Sequence, residues 1–289
     1  MSTHAQREAP REFIVDLVDS FRFEDAELPS LPDAVVYLER ALRNDTLSLA
    51  ALAALIAKDP VLAARLIRVA NSSYYRGVQP IENVSHAVVR LGAATTRNVS
   101  LLALRRAFTA RHEAIARMTS SLWAESLRVA STASVLADYV PIVDGDRAML
   151  GGLLYNVGPM LLLTQIDARL SATPDESVVG RILERHAARF GELLLRHWSM
   201  DPDLVAVAAH RDDWSREHEG VADLADLVLV AARCCRLTSE PGDGARDAVP
   251  ERMPAVAKLA PWSRGEMSPQ AVLEAANERI EETLAALAG

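Results

Sequence analysis

The chain has 289 residues, of which half are hydrophobic and only 5% aromatic, and its formal net charge is −8. This length suits one large domain or two ordinary ones. The negative charge argues against broad binding to nucleic acid or to anionic membranes, and the scarcity of aromatic residues favours packed helices over a β-sandwich.

Apolar residues recur at helical spacing along almost the whole chain. The candidate helices run from a short amphipathic one at residues 13–21 to a last one that begins at Ser268. The pairs Asp59-Pro60 and Asp201-Pro202 each predict an N-cap acid followed by proline in the first helical turn. Gly92 is predicted to end a helix.

The segment 239–250 contains Pro, Gly and acids without periodicity, which predicts a loop. A polar stretch near residue 112 separates two groups of helices. Because the sequence shows no strand pattern and no internal repeat, we predict an all-α fold, a multi-helix bundle of two lobes that meet near that residue.

A polar pair, Tyr155-Asn156, interrupts an apolar helix that is predicted to begin at Asp144 and end near Gln165. Such a pair either lines a pocket or is packed and hydrogen-bonded. In the packed alternative, the Tyr155 hydroxyl would bond to Glu125 or His210 and Asn156 would bond to the backbone.

The sequence contains no phosphate-binding glycine loop, nucleophile elbow, zinc CxxC pair or HExxH motif. Its seven histidines are scattered, and no two lie at i, i+4 with a carboxylate, so we predict no metal site and no cofactor. Adjacent Cys234 and Cys235 are predicted to be reduced core residues, with a redox switch as the alternative. The polar N-terminus and the absence of an apolar run long enough to cross a bilayer predict a cytoplasmic location.

Several short segments follow one another in an order that is typical of a known family. They are Leu28-Pro29-Ser30-Leu31-Pro32, Ile56-Ala57-Lys58-Asp59-Pro60-Val61-Leu62-Ala63-Ala64-Arg65-Leu66, Ala70-Asn71-Ser72-Ser73-Tyr74-Tyr75, Pro80-Ile81 and Val88-Val89-Arg90-Leu91-Gly92. Together they resemble the HDOD domain in order and spacing. The resemblance implies a tail with a short helix at 1–20, an HDOD domain at 21–240 with lobes at 21–111 and 117–240, and a loop with a C-terminal helix at 241–289.

HDOD domains are all-helical relatives of HD-type metal phosphohydrolases, and most are regarded as non-catalytic. HD hydrolases carry a histidine on one helix, a His-Asp dyad on a second and an aspartate on a later one. By this resemblance, Glu125 stands at the first position, Tyr155 and Asn156 at the dyad, and Ala232 at the last. Tyr and Asn are poor ligands for a catalytic divalent ion and Ala is none, so the resemblance implies no catalytic residues and no enzyme activity.

The function that the resemblance implies is a bacterial signalling module that acts through protein–protein contacts. Its partners would be sensor kinases, response regulators or cyclic-dinucleotide enzymes on separate chains. The final helix would either cover the bundle or mediate self-association as a homodimer. The alternative is a sensor that binds a nucleotide or phosphate compound in the former catalytic pocket, with Arg181, Arg185 or Arg211 contacting phosphate; a residual phosphohydrolase has the least support.

The candidate residues fall into small sets, each with a structural alternative. The candidate vestigial pocket consists of Glu125, Tyr155, Asn156, His210 and Arg211. The candidate partner surface consists of Asn71, Ser72, Tyr74 and Trp214, with Trp262 as a further contact residue. In the alternative, the residues at 71–74 fasten a helix end, and His210 only ends a helix. Close helix packing is predicted at Gly151, Gly152 and Gly158, and a solvated face at Arg97, Arg105, Arg106 and Arg111.

Overall fold

The computed structural model describes residues 28–43, 46–75, 77–140, 142–169, 175–239, 253–259 and 269–288. Over these ranges the helices are α1 (Asp33–Arg43), α2 (Leu49–Ile56), α3 (Pro60–Ala70), α4 (Val84–Leu101), a 3₁₀ helix (Leu102–Ala107), α5 (Glu113–Leu136), α6 (Gly145–Leu154), α7 (Val157–Arg169), α8 (Glu176–His197), α9 (Pro202–Ala209), α10 (Leu224–Ser239), α11 (Pro254–Lys258) and α12 (Pro269–Ala288). The described ranges contain no strand, so the all-α prediction is confirmed. The predicted helix at 13–21, residues 240–250 of the predicted loop and Trp262 lie outside the described residues.

Side-chain caps determine where several helices begin. Asp59 accepts the N–H groups of Val61 and Leu62 at 3.0 and 3.1 Å, with Pro60 in the first turn, as the sequence predicts. The second Asp-Pro pair behaves differently. Although Pro202 begins α9, the Asp201 side chain makes no cap hydrogen bond, and its carboxylate instead lies 2.8 Å from Arg147. The prediction of a second acid cap is therefore wrong, because a guanidinium on α6 competes for the carboxylate.

Gly92 separates two helical segments, so the prediction that a helix ends there is confirmed. The span that we call α4, Val84–Leu101, bends at Gly92, whose φ of 76° and ψ of 177° are not helical. After the bend, Thr95 donates to the Asp146 carboxylate at 3.0 Å and Asn98 donates to the Asp146 carbonyl at 2.8 Å. The bend thus directs the second half of α4 onto α6, which belongs to the C-terminal lobe.

Buried apolar residues of both lobes form one connected core. At the start of the described chain, Trp198 Nε1 donates to the Pro29 carbonyl at 2.8 Å. At its end, α12 packs along α5, and Arg279 donates to Asp138 at 2.6 Å while its guanidinium lies 5.8 Å from the Tyr74 ring centre. The final helix contacts both lobes in this way, which favours the bundle-covering alternative.

The polar stretch near residue 112 is fastened to the C-terminal lobe. Asp167, which is 3% exposed at the end of α7, accepts the N–H groups of Arg111 at 2.7 Å and His112 at 3.0 Å. Burial raises the pKa of the Asp167 carboxyl, but these N–H donors outweigh it and hold that pKa below its usual value. The carboxylate therefore anchors the start of α5.

The apolar segment around Tyr155-Asn156 forms two helices rather than the predicted single one. Helix α6 ends at Leu154 and α7 begins at Val157. Contrary to the prediction, the stretch Gly145–Arg169 is long and apolar enough to span a membrane by length and composition, but 94% of its most apolar window is buried inside the protein. The stretch is apolar because it forms part of the buried core.

Two glycines show the predicted close packing, Gly152 of α6 against α5 and Gly158 of α7 against α8. A Cβ on Gly152 would lie 2.3 Å from Ala130 Cα, and one on Gly158 would lie 2.2 Å from the Ala187 carbonyl oxygen. These helices therefore approach α5 and α8 more closely than a methyl group allows.

Candidate functional site

Tyr155 and Asn156 lie at the break between α6 and α7, and both are 0% exposed. The Asn156 amide donates to the Leu122 carbonyl at 3.0 Å and to Glu125 Oε2 at 3.1 Å. Its oxygen accepts from Arg211 Nη2 at 2.8 Å. Both ends of the amide are therefore hydrogen-bonded inside the protein, so the packed alternative describes Asn156.

The Tyr155 hydroxyl donates to Asp212 Oδ1 at 2.7 Å. The predicted partners, Glu125 and His210, are wrong, because the turn after α9 brings Asp212 to the hydroxyl instead. Asp212 has φ 64°, a left-handed conformation that few non-glycine residues adopt. Burial and the neighbouring Asp212 carboxylate raise the pKa of the Tyr155 phenol, so it remains a protonated donor.

Two arginines complete the arrangement. Arg236 Nε on α10 donates to Glu125 Oε1 at 3.0 Å, and its Nη2 lies 2.5 Å from Asp212 Oδ1. Arg211 Nη1 lies 2.7 Å from Asp212 Oδ2, and its guanidinium stacks 5.1 Å from the Tyr155 ring centre. We call these residues the polar network: Glu125, Tyr155, Asn156, Arg211, Asp212 and Arg236. Its two carboxylates are balanced by its two guanidinium groups.

The structure brings four of the five predicted pocket residues together and leaves one out. His210 ends α9 with a 43% exposed side chain, and its Nδ1 lies 3.5 Å from Asp213. Asp212 and Arg236 join the network although they were not among the predicted pocket residues. Ala232 is fully buried one helical turn before Arg236 and offers no ligand atom.

The polar network does not fit the divalent ion that an HD-type site would hold. Such ions need deprotonated carboxylates and neutral imidazoles that are free to coordinate. Here both carboxylates, Glu125 and Asp212, bind guanidinium groups, and the other two side chains are a protonated phenol and an amide.

A second cluster of ligand types lies in the turn before α10. Oxygen or nitrogen atoms of His218, Asp223 and Asp226 lie within 4.8 Å of one another, a grouping that the sequence reading missed. The guanidinium of Arg216, which is 8% exposed, lies 2.6 Å from each of the two carboxylates. This cation neutralises one of the two negative charges, and His218 Nε2 lies 2.8 Å from Asp226, so these contacts fasten the turn to α10.

The predicted partner surface separates into fastened and accessible residues. The Asn71 amide bonds to the Ile67 and Ile81 backbone, and Ser72 donates to the Val69 carbonyl at 2.7 Å. These two residues follow the alternative prediction. Tyr74 is 49% exposed. Trp214 is half-buried, with the guanidinium groups of Arg233 and Arg236 at 5.7 and 5.0 Å from its ring centre.

A cleft of about 620 Å³ lies beside the polar network, between α5, α8 and α10. Its lining includes Glu125 and Arg236 of the polar network and two further arginines, Arg117 and Arg128. Arg117 pairs with Glu113 and Glu176, each at 3.0 Å. Arg128 Nε is buried without a hydrogen-bond partner in the described part of the chain.

The family model of the HDOD domain matches residues 28–214. The chain belongs to the HDOD domain family. An HDOD domain protein of unknown function from Geobacter sulfurreducens has a solved structure that aligns with a TM-score of 0.69 at 22% identity, over 96% of this chain and 97% of that one.

Other HDOD-like folds carry different names. A Shewanella amazonensis SB2B protein, provisionally named a metal-dependent phosphohydrolase, aligns with a TM-score of 0.77 at 21% identity, over 96% of this chain and 98% of that one. A Marinobacter aquaeolei VT8 protein, provisionally named a signal transduction protein, aligns with a TM-score of 0.60 at 19% identity, over 96% of this chain and 66% of that one. At these identities the likeness establishes a shared fold.

One relative among curated proteins is an uncharacterized protein of Treponema pallidum (strain Nichols). It is 25% identical over 205 residues, which cover 64% of this HDOD chain. The chain spans only 38% of the length of that relative.

Proposed function

We propose that this HDOD protein is a non-enzymatic signal-transduction module that acts through protein–protein contacts in the cytoplasm. The observation that supports the proposal is the polar network, in which two guanidinium groups bind the side chains that stand, by the family resemblance, at metal-ligand positions. Hydrolysis by the HD mechanism needs a divalent ion that activates water.

The charges make metal binding at the polar network unfavourable. Two unit charges 4 Å apart interact by about 4 kcal/mol at an effective dielectric constant near 20. A divalent ion beside one guanidinium would face about twice that repulsion, so Arg211 and Arg236 offset the attraction that the carboxylates of Glu125 and Asp212 would otherwise offer. Breaking the existing pairs would also leave buried charges without partners. Glu125, Tyr155, Asn156 and Ala232 are therefore proposed to be replacements of the catalytic ligand set.

Metal content and phosphodiesterase activity test this proposal. We expect purified protein to contain no stoichiometric transition metal and to leave bis-p-nitrophenyl phosphate intact when manganese is added. Glu125→Ala should change neither result, and Glu184→Ala, which alters an exposed acid on α8, is the matched control. Stoichiometric metal with hydrolysis that is lost in Glu125→Ala and kept in Glu184→Ala would refute the proposal.

The partners are proposed to be separate signalling proteins: sensor kinases, response regulators or cyclic-dinucleotide enzymes. Tyr74 and Trp214 offer accessible aromatic surface for such contacts, since aromatic residues are enriched at interfaces. Affinity capture should recover a regulator independently of added nucleotides. Tyr74→Ala and Trp214→Ala should weaken the capture, while Val221→Ala, at a residue 86% exposed, should not.

A small-molecule sensor is the second candidate, and the cleft beside the polar network favours it. Arg211 is occupied by Asn156 and Asp212, so a phosphate compound would bind Arg128 in the cleft instead. A ligand at about 100 times its Kd stabilises a protein by about 2.7 kcal/mol, which thermal unfolding detects readily. A nucleotide that raises the Tm of the wild type and of Arg181→Met, but not of Arg128→Met, would favour the sensor.

A further inference from the structure

The N-terminal lobe carries a group of arginines that we call the basic patch: Arg65 and Arg68 on α3, and Arg105 and Arg106 at the end of the 3₁₀ helix. Burial lowers the pKa of Arg65, and the nearby charges of Arg68, Arg106 and Arg105 lower it further. Arg65 and Arg68 lie about one turn apart on α3, and Arg105 is next to Arg106, so like charges are neighbours within each pair.

Acidic residues balance little of this charge. Arg106 lies 2.8 Å from Asp59, whose other contacts are the N–H groups at the start of α3. Arg65, Arg68 and Arg105 have no ion pair with a carboxylate within the described ranges of the chain. On a chain with a net charge of −8, the basic patch is a local reversal of sign.

A groove of about 460 Å³ adjoins the basic patch through Arg106. Its lining includes the apolar side chains of Leu55, Leu62 and Leu104. Two cations, Lys58 and Arg106, and two carboxylates, Asp33 and Asp59, also line it. The groove is formed where the start of α1, the turn between α2 and α3, and the 3₁₀ helix meet. The charges of the groove itself balance, and the excess positive charge lies beside it, on the other arginines of the basic patch.

We infer that the groove and the basic patch dock an acidic segment of a partner protein that also carries apolar side chains. This inference rests on the proposed function and specifies the chemistry of the partner. Apolar side chains would fill the groove, and carboxylates of the same segment would pair with the arginines and relieve their mutual repulsion. A nucleic acid fits less well, because its phosphate backbone would gain nothing from contact with the apolar side chains of the groove. The net negative charge of the chain would also repel it.

A short fluorescent peptide that alternates glutamate and leucine is a direct probe, with its lysine-leucine counterpart as the charge control. Fluorescence anisotropy should show salt-sensitive binding of the acidic peptide, because screening weakens contacts between exposed charges. The double variant Arg68→Glu with Arg105→Glu should weaken binding by about tenfold or more. The matched control, Arg181→Glu with Arg185→Glu, changes two exposed arginines of α8 by the same charge and should stay within about twofold.

Ala107→Trp tests the groove separately, since Ala107 is exposed and lines it. The added indole should block binding without changing any charge. Equal loss in both charge-reversal variants, or no binding of the acidic peptide at low salt, would overturn the inference. Tighter binding of an oligothymidylate that Ala107→Trp does not affect would overturn it in favour of nucleic acid. Metal-dependent hydrolysis is measured independently, so failure of the proposed function remains distinguishable from failure of the docking inference.

Discussion

Replacing Gly158 by alanine should destabilise the protein although alanine is the better helix former. The new Cβ would lie 2.2 Å from the Ala187 carbonyl oxygen and 2.5 Å from the Gly191 nitrogen, both of which are backbone atoms on α8. Neither atom can rotate away, so α7 and α8 must separate.

Two opposing effects determine the magnitude. Alanine gains up to about 1 kcal/mol of helix propensity over glycine. Overpacking a tight interface costs about 1–3 kcal/mol and occasionally more, and a backbone overlap lies at the high end of that range. The net loss should be roughly 2 kcal/mol, which for a chain of this size lowers the Tm by about 4–8 °C.

Gly180→Ala is the matched control because it lies on α8, where a Cβ would meet nothing within 4 Å. It should raise stability by about 0.5–1 kcal/mol. Urea unfolding followed by circular dichroism measures both variants, and an unchanged m-value identifies a change in stability. A Gly158→Ala protein as stable as the wild type would show that α7 and α8 are not in backbone contact.

Three further substitutions test other contacts. Arg216→Met should cost about 3 kcal/mol in urea unfolding, the low end for breaking a buried ion pair, because the fully buried Asp226 carboxylate keeps only His218 and a backbone N–H as partners, and adding Asp226→Leu should restore part of the loss; equal stability of the single variant and the wild type would contradict this. Asp167→Asn should destabilise the protein at neutral pH, but the difference should shrink as the pH falls below about 4, because a lowered folded-state pKa stabilises the fold only while the carboxyl is ionised; a difference that is independent of pH would refute the assignment. Gly92→Ala should cost about 1–3 kcal/mol through backbone strain alone, since open space surrounds its Cβ position while its φ is 76°, and an unchanged urea midpoint would disprove that strain.

Local chemistry explains what the sequence predicted well. The Asp59 cap and Pro60 lie within one helical turn, so their consequence is readable from neighbouring residues alone. The packing of Gly152 and Gly158 was predictable because glycine inside an apolar helix costs stability unless something must approach closely.

Contacts between distant parts of the chain explain what the sequence did not predict. The partner of Tyr155 is 57 residues away, in a turn whose left-handed backbone at Asp212 no periodicity indicates. Arg97 was predicted to be solvated, yet its side chain is 8% exposed and lies 3.4 Å from Glu39, because the bend at Gly92 turns that part of α4 inward. Of the pocket residues, Glu125, Tyr155, Asn156 and Arg211 were predictable from the family resemblance, whereas Arg236 was not.

The bond between Trp198 and Pro29 has a consequence for synthesis of the protein on the ribosome. Its partners are 169 residues apart, so the first family segment cannot reach its final contact until α8 has left the exit tunnel. Until then, the segment around Pro29 lies next to an incompletely synthesised lobe, and its apolar residues remain exposed to other contacts. Because contacts between distant residues also form slowly in refolding, the indole fluorescence of Trp198, isolated by replacing the other three tryptophans with phenylalanine, should change after the helices of the N-terminal lobe have formed.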